Sequence, residues 1–288
     1  MKPIKPYLIV LQVWIVAFDY SLSILFVPYL MFPALVGYGV GYLSNIGIPN
    51  EYQGLVVLVL IGFVCVGIVS VFEHRFYMVC AHQKRFWRWF RYVWIVGHYI
   101  VVICLYSSFL LYVPDQRGQR EKAFRILPCL PPYLYDAPIT AISEDYTYQG
   151  LVCSSFMIVF TTESFIFNIS VIWSSMKQLR TKKMSPKNFQ IQKATFVALL
   201  IQMKVPLIMI ILPSTYGWIS LVLGYHNQAL MNLAVIIGSL HGAFSTIVMI
   251  TVHRPYRETI QDLFREKSTR VEQSLLYQQN EVFVIMKS

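Results

Sequence analysis

Four ionisable side chains stand inside long apolar stretches of the sequence, where such groups are costly. They are Asp19, Glu163, Lys204 and His241, and the amide Asn232 lies close to the last of them. A charge at the middle of a bilayer costs about 2.5 to 3.5 kcal/mol on insertion scales. These side chains could line a polar cavity that binds a ligand, or they could join neighbouring helices through hydrogen bonds. Glu163 and Lys204 have opposite signs and could neutralise each other.

A second polar group, Glu73-His74-Arg75, stands at the end of another apolar stretch. An acid and an arginine at a membrane boundary can pair and can separate when neighbouring helices move. The alternative is that they belong to the basic residues that simply mark the inner membrane surface. Pro206 follows Lys204 by two residues and removes a backbone donor, so it predicts a kinked helix that could act as a hinge.

The elements that position these residues are predicted to be membrane-spanning helices. The chain of 288 residues is 56% hydrophobic and only 13% charged, with a mean hydropathy of +0.55. A soluble domain carries about 25% charged residues, so a soluble enzyme, a coiled coil and a disordered chain are excluded. A span needs about 20 apolar residues. Six segments satisfy this, near residues 7–30, 54–72, 92–113, 150–176, 194–212 and 231–252.

The basic residues orient these six predicted spans. If the N-terminus is cytoplasmic, 19 of the 24 Lys and Arg residues fall on the cytoplasmic side, four in the outer loops and one, Lys204, within a span. This asymmetry follows the positive-inside rule and predicts that both termini are cytoplasmic. The net charge of +10 is therefore interpreted as membrane orientation rather than nucleic-acid binding.

The regions between and after the spans are predicted from local composition. Two prolines and four glycines between residues 28 and 47 predict an irregular outer segment after the first span. Apolar residues at helical spacing predict an amphipathic helix on the inner leaflet near 256–266, in contact with membrane lipid. We therefore predict one transmembrane domain over residues 1–266 and a disordered cytoplasmic tail over 267–288.

Cysteine spacing and sequence motifs do not indicate an enzyme or a metal site. The five cysteines are scattered, no metal-binding spacing occurs, and no nucleotide-binding or hydrolase motif is found. We expect no cofactor, no metal and no enzymatic activity. Cys129 lies in a long loop and Cys153 near the start of a span, so these two could form a disulfide.

One motif is similar to the selectivity filter of a potassium channel. VGYG occurs at 36–39, and Arg85, Arg88 and Arg91 repeat every third residue. A filter lies between the last two spans of a channel, whereas this motif follows the first. The three arginines precede a span instead of lying within it. Both observations exclude a channel.

An ordered series of short motifs resembles nematode chemosensory receptors of the serpentine receptor class h family. The resemblance extends from about residue 11 to 258. The motifs are Pro28-Tyr29, ALVGY at 34–38, Gly47-Ile48-Pro49, Glu73 with Arg75-Phe76, PDQ at 114–116, PCLP at 128–131, Ile201-Gln202 with Pro206-Leu207, YHNQA at 225–229, His241-Gly242, STIVM at 245–249 and VHRPYR at 252–257.

The resemblance implies an all-α, GPCR-like bundle of seven helices that binds a small-molecule chemical ligand and couples to a heterotrimeric G protein. It implies a multi-pass plasma membrane protein of sensory neuron cilia, and it places Glu73 and Arg75 where rhodopsin-like receptors have an acid-arginine switch. His74 and Arg254 depart from the Asn and Lys expected at these positions. We expect that the first helix of the family is missing before Met1. A membrane transporter of an ion or small solute is the alternative hypothesis.

Overall fold

The computed structural model describes residues 4–81, 84–127, 130–181 and 185–252, together with 261, 262 and 265. These residues form nine α-helices and one small sheet. The helices are α1 Lys5–Tyr20, α2 Tyr42–Asn45, α3 Asn50–Phe76, α4 Arg85–Ser107, α5 Gln116–Ile126, α6 Thr147–Arg180, α7 Pro186–Leu223, α8 Gln228–Ser239 and α9 His241–Val252. The chain is therefore an all-α polytopic bundle, as the sequence predicts.

Within the described residues, five helical segments are long and apolar enough to cross a membrane. They cover 5–25, 50–81, 85–112, 147–180 and 228–248. Each begins two to seven residues before its predicted span, and the segments 50–81 and 147–180 also end several residues beyond it, whereas 5–25, 85–112 and 228–248 end before the predicted boundary. Short π- or 3₁₀-helical turns continue α1, α3 and α4. The predicted span 194–212 lies within α7, which continues to Leu223 and has a shorter apolar stretch at 208–223.

The boundary between α7 and α8 follows from local sequence. Gly224 ends α7 with φ 64°, a left-handed conformation that glycine adopts without a steric penalty. Asn227 then begins α8 by accepting a hydrogen bond from the Leu230 amide at 3.1 Å. The predicted span 231–252 is divided at Leu240 into α8 and α9. This break leaves amide groups at the start of α9 without partners inside the helix.

Helix α3 forms the centre of the bundle. In the most apolar stretch of 18 residues in this spanning segment, 56% is buried inside the bundle, compared with 17% to 33% for the other four spanning segments. Two glycines allow close approach of its neighbours. A Cβ on Gly62 would lie 2.6 Å from Val102 on α4, and one on Gly67 would lie 3.0 Å from Leu11 on α1. Residues on α3 are therefore held more rigidly than those on the other spans.

The segment after α1 forms a sheet, so the prediction of an irregular segment is wrong there. Strand β1 (Pro28–Met31) pairs antiparallel with β2 (Val36–Gly39), and β2 pairs with β3 (Thr140–Ala141). The VGYG motif is therefore the central strand of the sheet. A Cβ on Gly37 would lie 2.8 Å from the Tyr29 carbonyl oxygen, so backbone packing explains this glycine.

The sheet, α5 and the turn Pro132–Tyr135 pack together as a small cap at one end of the bundle. The cap has its own buried core, formed by Met31, Val36, Ala123, Leu127, Leu134 and Ala141. The Tyr29 and Tyr133 hydroxyls lie 3.5 Å apart. Burial and this neighbour raise the pKa of Tyr29 above its ordinary value, so the phenol stays protonated. The loop before α6 is thus ordered against the strands that follow α1.

Asn50, the first residue of α3, joins the cap to the bundle. Its Oδ1 accepts a hydrogen bond from the Gly39 amide at 3.0 Å. Its Nδ2 donates to the Pro138 carbonyl and to Thr140 Oγ1, both at 2.9 Å. One side chain therefore fixes two strands of the sheet to the start of the central helix.

We expect Asn50→Ala to loosen the cap. Each net hydrogen bond contributes about 0.5 to 1.5 kcal/mol, so the loss should be about 2 kcal/mol in the stability of this region. Limited proteolysis of the purified protein within 116–141 should then become several-fold faster. Asn45→Ala is the matched control, because Asn45 is exposed and its side chain makes no hydrogen bond within the described residues. Equal proteolysis of the two variants would contradict the joining role of Asn50.

The predicted amphipathic helix near 256–266 and the predicted tail over 267–288 lie outside the described residues, apart from three helical positions.

Candidate functional site

The five polar residues predicted to line a pocket lie in separate places in the bundle. Asp19 pairs with His241, while Glu163 pairs with His98. Asn232 accepts a hydrogen bond from Gln228 on the same helix at 2.9 Å. The Lys204 side chain is exposed. Of these five residues, only Asp19 and His241 therefore contact each other, as a shared site requires.

Asp19 on α1 lies against the helix break between α8 and α9. Its Oδ1 is 2.6 Å from His241 Nδ1 and accepts a hydrogen bond from the Gly242 amide at 3.3 Å. A carboxylate at a helix N-terminus satisfies an unpaired amide and interacts favourably with the helix dipole. Asp19 thus caps α9 from another helix and ties the first described span to the last.

His241 is fully buried, and its partners assign its tautomer. Both groups near Nδ1, the Asp19 carboxylate and the Gly238 carbonyl at 3.2 Å, are acceptors, so Nδ1 carries the proton. Nε2 is buried and has no hydrogen-bond partner among the described residues. The Phe18 ring packs edge-on against the imidazole, with centroids 4.9 Å apart. The site therefore combines a half-buried acid with a buried imidazole whose second nitrogen has no partner.

Glu163 on α6 pairs with His98 on α4 instead of Lys204. Glu163 Oε1 is 3.3 Å from His98 Nε2, while His98 Nδ1 lies 2.7 Å from the Trp94 carbonyl. The hypothesis of a Glu163–Lys204 pair is wrong. The two residues do not pair because Glu163 lies at the contact with α4, whereas the Lys204 side chain is exposed. Glu163 Oε2 is buried without a partner in the described structure.

At the cap end of the bundle, the first residue of α8 and the loop before it contact β1 and the turn that follows β1. Gln228 Nε2 donates to the Leu30 carbonyl at 2.9 Å, and His226 Nδ1 lies 2.7 Å from the Phe32 carbonyl. The Phe32 ring packs beside Gly217 of α7. The predicted pocket residue Asn232 belongs to this polar group through Gln228. It does not reach Asp19 or His241 by any hydrogen bond in the structure.

Glu73 lies near the end of α3 opposite the cap and is bound by α4. Arg91 Nη2 is 2.7 Å from Glu73 Oε2, and the Trp87 indole donates to Oε1 at 2.7 Å. Glu73 is 0% exposed and Arg91 is 3% exposed, so this ion pair is completely buried. Arg91 also donates to the Tyr7 hydroxyl of α1 at 2.9 Å. The group of Tyr7, Glu73, Trp87 and Arg91, with His74, is called the Glu73–Arg91 cluster below.

The predicted pairing of Glu73 with Arg75 is wrong. Residues that are two apart on a helix point to different sides. Arg75 therefore cannot take the place of Arg91 beside the Glu73 carboxylate. Arg75 forms no ion pair or hydrogen bond with the described residues, and its Nε is buried. Among the described residues, the Arg75 guanidinium therefore has no acceptor at this end of the central helix.

Sequence reasoning missed four residues of these sites, namely Tyr7, Trp87, Arg91 and His98. Arg91 was grouped with Arg85 and Arg88 as an inner-surface charge. A signal was present, because Arg91 continues into the apolar part of α4, six residues beyond the first residue of that helix. An arginine that enters a span needs a buried acceptor, and this requirement could have indicated Glu73.

The remaining predicted site residues stay predictions. Cys129 lies outside the described residues, so the Cys129–Cys153 disulfide is not tested; Cys153 lies on α6. Helix α7 is continuous through Pro206, and the hinge role of this residue is not tested either. No group of three metal-binding side chains occurs in the described ranges.

Comparison with known proteins agrees with this architecture. Residues 1–266 match the family described as serpentine type 7TM GPCR chemoreceptor Srh. A relative from Caenorhabditis elegans, serpentine receptor class H-72, is 24% identical over 267 residues. This alignment covers 92% of the chain and 76% of the relative. The family match extends over most of the chain and includes all the helices α1 to α9. The chain therefore belongs to the Srh family of serpentine seven-transmembrane GPCR chemoreceptors.

Proposed function

We propose that the chain is a chemosensory receptor that binds a small external ligand and activates a heterotrimeric G protein at the end of the bundle opposite the cap. The observation that carries this proposal is Arg75. A guanidinium carries a permanent charge and five donors, and leaving it without an acceptor is costly. Its presence on the central helix is explained if the acceptor arrives with a partner protein.

The charge distribution supports this placement of the partner. Lys177 and Arg180 at the end of α6, and Lys84, Arg85 and Arg88 at the start of α4, are exposed or half-buried at the same end of their helices as Arg75. This basic end would face the cytoplasm under the positive-inside rule, and the cap would face outward. A G protein then docks on the basic end, and ligands arrive at the cap.

The polar residues inside the bundle favour a receptor over a transporter. A substrate or ion path needs polar groups that follow one another across the membrane. Here Asp19 with His241 and Glu163 with His98 belong to different helix contacts, and no described hydrogen bond connects them. Of the predicted pocket residues, we retain Asp19 and His241 as the ligand-sensing pair, because His241 Nε2 is a buried acceptor without a partner.

Replacing Arg75 tests the proposal. Arg75→Gln removes the charge but keeps a polar side chain of moderate length. Because Arg75 makes no contact that holds the described fold together, surface expression should stay near the wild-type level. Ligand-dependent G-protein activation should fall at least tenfold in cells that express the chain. Arg125→Gln is the control, since Arg125 is an exposed arginine on α5, at the opposite end of the bundle. Normal signalling by Arg75→Gln would contradict the coupling role.

A further inference from the structure

The Glu73–Arg91 cluster is the most completely buried charged group in the described part of the chain. Burying an acid and an arginine is costly, and a pair of apolar residues of similar volume often stabilises a fold as well or better. The cluster nevertheless satisfies both Glu73 oxygens, one through Arg91 and one through the Trp87 indole. Such a pair is stable while assembled, and it is costly to leave half-assembled.

The cluster joins three helices at one end of the bundle. Glu73 and His74 come from α3, Trp87 and Arg91 from α4, and Tyr7 from α1. Tyr7 also stacks on the His74 ring, with centroids 4.4 Å apart. The Trp87 ring packs against Phe76 and Phe167, so it also reaches α6. Glu73 and Arg91 therefore form the buried ionic contact between α3 and α4 at this end, and moving these two helices apart there would separate them.

Separation of Glu73 from Arg91 would affect the part of α3 that carries Arg75. Arg75 follows Glu73 by two residues on the same helix, and only Phe76 separates it from the π-helical turn Tyr77–Ala81. Turns of this kind mark places where a helix departs from regular hydrogen bonding. While Arg91 holds Glu73, the rotation of this part of α3 is fixed and Arg75 keeps its present direction. Release of Glu73 would remove the buried contacts that join this part of α3 to α4.

We propose that Arg91 holds Glu73 in the resting receptor, and that separation of this pair releases the end of α3 for coupling. This inference rests on the proposed function and assigns Arg91, Trp87 and Tyr7 as positioning residues. Arg75 plays no part in the resting contact. Ligand binding at the other end shifts the population toward the separated state.

The sharpest variants remove one hydrogen bond each and keep the aromatic packing. Trp87→Phe removes the donor to Glu73, and Tyr7→Phe removes the acceptor of Arg91 but keeps the stack on His74. Trp14→Phe is the matched control, because it also removes one indole hydrogen bond, to the Tyr99 hydroxyl at 3.1 Å, away from the cluster. All three variants are expected to reach the membrane in wild-type amounts.

Two measurements on the full chain in lipid nanodiscs separate structure from signalling. The first is amide hydrogen exchange over residues 85–91, which needs no G protein. The second is nucleotide exchange by an added heterotrimeric G protein without ligand. Losing one hydrogen bond corresponds to about a fivefold shift in an equilibrium. Trp87→Phe and Tyr7→Phe should each increase both rates by about this factor, and Trp14→Phe should change neither.

The possible outcomes distinguish this inference from the proposed function. The inference is overturned if amide exchange in Trp87→Phe and Tyr7→Phe is unchanged. It is also overturned if amide exchange rises but ligand-free nucleotide exchange stays at the wild-type level, provided that the wild type responds to ligand. If no form of the protein, wild type included, activates a G protein, the proposed function fails and the role of the cluster fails with it.

Charge removal provides a second test that does not depend on signalling. Arg91→Gln alone leaves Glu73 buried without a counter-ion, so the amount of folded protein should fall several-fold. Adding Glu73→Gln to this variant should restore part of it, because neither charge is then left alone. Losses that simply multiply in the double variant would show that the two residues are not coupled, which would also overturn the inference.

Discussion

Replacing Gly242 by alanine is expected to remove most of the folded receptor from the cell surface. A Cβ at this position would overlap the Asp19 carboxylate, and it would lie 2.6 Å from its Cγ and 2.8 Å from Ile15 Cγ2. Neither neighbour can move freely, because Ile15 is 1% exposed and Asp19 is held by His241. Overpacking of this kind costs about 1 to 3 kcal/mol, and here the Asp19 cap on α9 is lost as well.

Surface labelling of intact cells and thermal inactivation of the solubilised protein would measure this effect. Gly97→Ala is the matched control, because Gly97 also lies in a spanning helix but a Cβ there would meet nothing within 4 Å. We expect Gly97→Ala to leave expression unchanged, or to raise stability by up to about 1 kcal/mol through helix propensity. Equal behaviour of the two variants would show that α1 and α9 do not approach as described.

Asp19→Ala is expected to produce the second large loss of stability. It leaves the proton on His241 Nδ1 with only the weaker Gly238 contact, and it leaves the Gly242 amide without an acceptor. Unpaired buried groups cost about 1 to 3 kcal/mol each, so the total should be about 2 to 4 kcal/mol. The midpoint of thermal inactivation should therefore fall by several degrees.

Asp19→Asn separates the hydrogen bonds from the charge. The amide oxygen can still accept from both His241 and Gly242, so most of the stability should return while the ligand response changes. A result in which Asn behaves like Ala would assign the contribution of Asp19 to its charge. A result in which neither variant is destabilised would contradict the capping role of Asp19.

The spans and the fold class could be predicted because they depend on composition and length alone. A stretch of about 20 apolar residues must form a helix in a bilayer, whatever its neighbours are. The helix ends were harder to predict. Trp87 and Arg91 lie in the first turns of α4, which begins seven residues before the predicted span. Polar and aromatic residues at a membrane boundary do not end a helix, although they lower its hydropathy.

The sheet could not be predicted, because it depends on contacts between distant segments. Strand β2 lies between β1 and β3, and β3 is about 100 residues further along the chain. Locally, Pro28, Pro33 and the glycines of this region are typical of turns, and this composition led to the prediction of an irregular segment. Pairing with Thr140 and Ala141, together with the small buried core of the cap, stabilises strands that local sequence does not favour.

The partners of the charged residues were predicted wrongly for a related reason. Sequence shows which residues must be paired but not which faces of two helices meet. The sequence predicts that Glu73 pairs with its neighbour Arg75, whereas the two side chains point to different sides of α3. Glu163 was paired with Lys204 on the following helix, whereas the residue that it meets is His98 on an earlier one. Asp19 and His241 are far apart in the sequence, which predicts only that both could line one polar cavity, not that they pair.

The most direct test of the central claim uses the purified full chain in lipid vesicles with a heterotrimeric G protein. Nucleotide exchange by the G protein is measured while small water-soluble and volatile compounds are added, and the movement of ions and of each compound across the vesicle membrane is followed in parallel. A receptor predicts that at least one compound accelerates nucleotide exchange, that Arg75→Gln abolishes the acceleration, and that nothing crosses the membrane. Transport of an ion or compound by the chain, without any acceleration of nucleotide exchange, would contradict the account and favour a transporter.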